Sequence, residues 1–150
     1  MATFMVPTAA PALDHAGVEA ARLVRAGREQ LVSEHPSVTY ALLAEGRAQT
    51  EVAARQWVRR LRSSGRMVTV EWDGLTLIPS FQFDEAYEPI SEVGAAVAQL
   101  VGRGLSGWAV WRWFVTVNPW IGERPVALVS GRRFGQLRDA VEGFVADNGE

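Results

Sequence analysis

The chain has no cysteine and no lysine among its 150 residues. Without cysteine there are no disulfides to staple a small core, no thiolate zinc site and no thiol nucleophile. The composition fits a reducing compartment, and the cytoplasm is the expected location. Every one of the 15 positive charges is arginine, set against 17 acids, for a net charge of -2 and a pI near 5.7. Overall charge therefore gives no pull towards nucleic acid, and only its distribution can. Histidine is scarce: His15 and His35 lie far apart, without the spacing of a metal-binding pair. GxxxxGK[ST] and GxSxG are missing, and the glycines of Gly102-Arg103-Gly104 sit at a helix end without the preceding strand that a dinucleotide-binding loop needs. No catalytic residue, metal or cofactor is expected, and the chain reads as a non-enzyme. No run of about 18 apolar residues is present, so no membrane span is expected. Met1 to Ala12 lacks a cationic start and is interrupted by Pro7 and Pro11, which makes residues 1–12 read as a disordered tail rather than a signal peptide.

What is present is enough for a core: 48% of residues are apolar and 21% charged, close to the globular average. Residues 13–36 read as an N-terminal helix capped by Asp14, with Leu13, Ala16, Ala20, Leu23, Val24, Gly27 and Leu31 on one stripe. His35-Pro36 ends it. Two shorter helices are expected next, Ser37 to Ala44 and Thr50 to Ser63, with Glu45-Gly46-Arg47 as the turn and Thr50 as N-cap. A hairpin follows, Met67 to Trp72 and Leu75 to Ile78, joined by Asp73-Gly74, the pair that a type I′ turn favours. Beyond an acidic connector, helices are expected from Ser91, from the cap Ser106 to about Val117, briefly from Pro125, and from Phe134 to Val145, with Asp147-Asn148-Gly149-Glu150 as a short tail. The fold class is mainly α with one β-hairpin: a helix-turn-helix with wing over 37–83, then a small helical bundle over 86–150.

Two constellations carry chemistry. On the helix from Thr50, Ala53, Ala54, Trp57, Val58 and Leu61 share one side, while Arg55, Gln56, Arg59 and Arg62 share the other, with Arg60 at the margin. Ser37 to Arg66 holds six arginines against Glu45 and Glu51, a local charge of +4 in an acidic protein. In a helix-turn-helix the second helix enters the major groove, where arginine reads guanine and glutamine reads adenine, and a following hairpin lies beside the phosphates. Gln49, Thr50, Arg55, Gln56, Arg59, Arg60, Arg62 and Arg66 are the expected DNA contacts. The second constellation is aromatic: Trp108, Trp111, Trp113, Phe114 and Trp120 crowd one stretch and cover well over half of a helix's circumference. Such a helix is either wholly central to a core or spills onto a partner-binding surface.

The stretch from Trp108 through Asn118-Pro119-Trp120-Ile121-Gly122-Glu123-Arg124-Pro125 to Val129 resembles the toxin-binding domain of Xre/MbcA/ParS-type antitoxins, over roughly residues 90 to 147. Ahead of it, Thr50 to Asp84, with its Pro-x-Phe-Gln-Phe-Asp, resembles the winged or excisionase-like DNA-binding module that precedes that domain. Trp120 and Ser130-Gly131-Arg132-Arg133 depart from the family pattern. The resemblance implies a type II antitoxin that neutralises a toxin and represses its own operon at operator DNA. The implied partner is most often a RES-domain toxin and in some operons a PIN-domain ribonuclease. Its toxin-binding residues would be Trp108, Trp113, Asn118, Trp120, Ile121 and Arg124, with Trp120 at the interface and Trp111 in the core. Helix-turn-helix repressors match two-fold sites, so a homo-oligomer, a dimer in the simplest case, is expected, seamed by the first helix or the aromatic bundle. The rival readings are a stand-alone transcription regulator or excisionase-like factor without a toxin, and a regulator using the tryptophan cluster as a ligand pocket.

Overall fold

The computed structural model describes the backbone of residues 5–147 and the side chains of residues 14–147. The chain divides into two compact units, Met1–Glu34 and His35–Glu150. The first contains one helix, α1 (Met5–Glu34). Residues 5–12, expected as tail, are thus helical. Pro7 falls in the first turn, where its missing N–H costs no intrahelical bond, and Ala9, Ala10 and Ala12 have the strongest helix propensity. Asp14 is inside the helix and does not cap it; residues 1–4 lie outside the described residues.

The second unit opens with β1 (Ser37–Val38), then α2 (Tyr40–Arg47) and α3 (Glu51–Ser63). The Thr39 and Thr50 hydroxyls accept from the N–H groups of Leu42 and Ala53, each satisfying a donor that the helix leaves orphaned. The helix expected from Ser37 therefore starts later, because Ser37 and Val38 pair with Pro79 and Ile78 of a strand about forty residues on. Glu45-Gly46-Arg47 is not a turn either. Gly46 stays helical, with the Tyr87 ring seated where a Cβ would be. The turn is Ala48–Thr50, and Ala48 adopts the left-handed φ of 55° that closes α2.

The hairpin is as expected. β2 (Val70–Trp72) and β3 (Leu75–Pro79) pair antiparallel, with Trp72 opposite Leu75 and positive φ at Asp73 and Gly74. β3 lies between β1 and β2, a third strand that was not expected. After a 3₁₀ turn at Ser80–Gln82 come α4 (Ser91–Gly102), α5 (Gly107–Val115, capped by Ser106), α6 (Pro125–Ser130) and α7 (Phe134–Asp147). α5 stops two residues short of Val117, ahead of Asn118-Pro119.

α2, α3, the hairpin and the later helices all belong to one compact unit, His35–Glu150. Two apolar clusters fill it. One gathers Leu43, Ala54, Val58, Met67, Ile78 and Phe83; the other gathers Val68, Val97, Leu100, Phe114, Leu128 and Val141. Met67 and Val68 are neighbours pointing into different clusters, as the two-residue period of extended chain requires. Phe81 and Phe83 do the same from the other side of the seam. Between them the buried Gln82 amide accepts from the Val68 N–H at 2.9 Å and donates to the Val68 carbonyl at 3.0 Å and the Pro79 carbonyl at 3.1 Å. Replacing Gln82 with Leu leaves both Val68 backbone groups buried and unpaired, so the expected loss of stability is about 2 to 4 kcal/mol. Urea unfolding measures it, and a loss below about 1 kcal/mol would show that the amide does not hold the seam.

Candidate nucleic-acid and partner interfaces

α3 sorts its residues as its sequence dictates. Ala54 and Val58 are buried, Trp57 and Leu61 pack at the edge of the same cluster, and Arg55, Gln56, Arg59, Arg60 and Arg62 are exposed. Among the described residues, the side chains of Gln56, Arg59, Arg60 and Arg62 make no hydrogen bond or ion pair. Arg55 is partly engaged, paired with Glu51 at 3.1 Å and lying over the Tyr40 ring at 4.6 Å. The other expected contacts are used within the molecule. Gln49 accepts from Arg47, Thr50 caps α3, and Arg66 donates to the Ser91 carbonyl at 3.0 Å, tying the end of the helix-turn-helix to the start of α4. Arg47 also belongs to the fold: its guanidinium stacks 3.6 Å over Trp57 and reaches the Tyr87 carbonyl and Glu88. Val52, 63% exposed, sits at the start of α3. The signal for it was an apolar residue on the arginine side of the helical wheel.

The hairpin differs from a phosphate-contacting wing. Residues 67–79 contain no basic side chain and carry Glu71 and Asp73 near the tip. Glu71 accepts from Thr76. Trp72 meets Trp108 edge-on at 5.8 Å, and a Cβ at Gly107 would collide with the Thr69 carbonyl oxygen, so the hairpin lies tightly against α5.

That contact, with others, accounts for most of the aromatic surplus. Trp111 is buried and stacks with Trp108; Trp113 meets Phe114 and Phe144 edge-on. α5 is central because the hairpin covers one flank and α7 another, so the expected excess of apolar surface is largely internal. Asn118 is buried, its side-chain oxygen accepting from the Trp120 N–H and its carbonyl accepting from the Gly122 N–H, and so it shapes the turn. Ile121 packs on the core. Trp120, by contrast, is 58% exposed, with its ring seated where a Cβ at Gly143 of α7 would be, and Arg124, four residues on, is exposed as well. The turn is braced by Glu123, which accepts from both terminal nitrogens of Arg133 at 2.7 and 2.9 Å. Those hydrogen bonds hold the Glu123 carboxyl below its ordinary range and push the Arg133 guanidinium up. The brace is therefore present at neutral pH and is lost as acid protonates Glu123.

Comparison with known proteins bears on the fold alone. No family model matches the chain, and no curated protein matches it. The fold is similar to the NMR structure of Rv2175c, with 20% sequence identity and a TM-score of 0.58 over 73% of this chain and 81% of that one. Among the described residues no cluster of acids and histidines could hold a metal ion, and no helix is long and apolar enough to cross a membrane.

The two tryptophans expected in opposite roles occupy opposite environments, and thermal or urea unfolding of single variants reads the difference. Trp111→Ala is expected to cost about 3 to 5 kcal/mol, whereas Trp120→Ala, which uncovers only the Gly143 surface, is expected to cost less than about 1 kcal/mol. Equal losses would contradict this placement.

Proposed function

We propose that the protein is a regulator that binds duplex DNA, with α3 entering the major groove. The observation that carries this is that Gln56, Arg59, Arg60 and Arg62 of α3 face solvent without internal partners, on a helix that follows α2 after a three-residue turn. Three unpaired guanidiniums on one short helix repel one another and are kept where a polyanion can neutralise them. Arg59 and Gln56 have the chemistry for guanine and adenine edges, and exposed Val52 fits a thymine methyl group near the helix N-terminus, where recognition helices meet bases. The hairpin's part is to buttress α3 and α5 rather than to hold phosphate. Two copies would match a palindromic site, and the exposed Val18, Leu23 and Val24 of α1 offer one apolar seam to join them, the aromatic bundle being largely used internally.

The test is fluorescence anisotropy with labelled duplex DNA across a salt series. Wild type is expected to bind with an affinity that falls steeply with salt. The R59A/R60A/R62A variant, which removes no internal contact, is expected to lower the log–log salt slope by about 2 to 3 and remain folded. Binding by that variant equal to wild type would overturn the proposal.

A second reading keeps DNA binding and adds a toxin partner held at the Asn118–Pro125 turn, the antitoxin activity that the family resemblance implies. Exposed Trp120, seated over Gly143 of α7 in a turn that also carries the exposed Arg124, is the observation that favours it, since tryptophan and arginine are the usual anchors of protein interfaces. Growth rescue and affinity against the protein encoded by the adjacent gene decide it. Trp120→Ala is expected to weaken that complex by about 2 kcal/mol or more. An unchanged complex, or none with wild type, removes the toxin-binding role from this turn.

A further inference from the structure

A cavity of about 300 Å³ opens between the 3₁₀ turn, α5 and α6, away from the arginine face of α3. Its volume is at the lower end of small-molecule sites, which run from about 300 to 1,000 Å³. Phe81, Trp111 and Val126 supply apolar wall. Phe81 is held in place by stacking on Phe114 at 4.2 Å, and Trp111 by its own burial, so this wall is preformed.

The charged groups come from two different elements. Arg132, just after α6, brings a guanidinium that lies over the Phe134 ring and has no ion-pair partner among the described residues. Asp84 and Glu85 bring carboxylates from the connector before α4. One oxygen of Asp84 accepts from the Ala86 and Glu88 N–H groups, which orients the carboxylate. A ligand carrying only negative charge would meet two carboxylates, and one carrying only positive charge would meet Arg132. A ligand carrying both satisfies both.

We propose that this cavity binds a small zwitterion with an apolar body, in particular a free amino acid with a large apolar or aromatic side chain. Its carboxylate would pair with Arg132, its ammonium with Asp84 and Glu85, and its side chain would lie against Trp111 and Phe81. This site stands apart from the proposed DNA contact and does not depend on it.

Calorimetry and tryptophan fluorescence of the full chain test the proposal, with L-phenylalanine, L-tryptophan and L-leucine as probes and 3-phenylpropionate and phenethylamine as singly charged controls. At least one amino acid is expected to bind saturably, and the two controls about tenfold or more weaker, the loss of one charge-assisted contact. Val126→Phe, which fills the cavity, is expected to abolish binding. Arg132→Gln, an exposed change that keeps the fold, is expected to weaken it about tenfold and serves if the filled variant does not fold. The proposal is overturned if no amino acid binds below about 10 mM, if the controls bind equally well, or if neither variant changes the affinity.

Discussion

The second unit depends on one side chain acting as a strand. Gln82 occupies both the N–H and the carbonyl of Val68, the two groups a neighbouring β-strand would have taken, at a place where no strand can fit because the chain is turning. Its neighbours Phe81 and Phe83 diverge into separate apolar clusters, as do Met67 and Val68 opposite. An apolar residue in its place would strand two buried backbone groups at the seam, and a charged one would carry its charge into the interior. This joint and the Arg66–Ser91 hydrogen bond both tie the segment carrying α3 to the bundle.

Much of the architecture was legible because its signals are local. Asp73-Gly74 specifies the hairpin turn, Thr50 and Ser106 specify helix starts, Pro125 opens α6, and the alternation of alanine, tryptophan and valine with arginine orients α3. What escaped was decided at long range. β1 is a strand only because β3 lies beside it, and Gly46 is a glycine inside a helix because the ring of Tyr87, far along the chain, takes the space of a Cβ there. Gln82 sits in a motif that marked a family resemblance, yet nothing local indicates that it would be buried.

The candidate site was legible in part, and for the same reason. Helical periodicity places Arg55, Gln56, Arg59, Arg60 and Arg62 outward, as their exposure shows, with Arg55 alone of the five reaching back to Glu51 and the Tyr40 ring. Periodicity cannot tell that Gln49 and Arg66 would be taken up by internal hydrogen bonds. Nor can it tell that α5 would be covered on two flanks, turning an apparent surplus of tryptophan into core. The aromatic residues thus divide by environment: Trp57, Trp72, Trp108, Trp111 and Trp113 hold the fold, and Trp120 alone among the six tryptophans stays mostly in solvent.

The charge arrangement follows the same division. In an acidic protein without lysine, arginines near other elements find carbonyls, carboxylates or aromatic faces, as Arg47, Arg66 and Arg133 do. Arg59, Arg60 and Arg62 on α3 do not, and this difference is the core of the account. Amide chemical-shift mapping with a duplex DNA added at low salt tests it most directly. The account predicts that the largest shifts fall within residues 49–62, with residues 118–124 unmoved. Binding that leaves 49–62 unperturbed, with the largest shifts elsewhere, would contradict it.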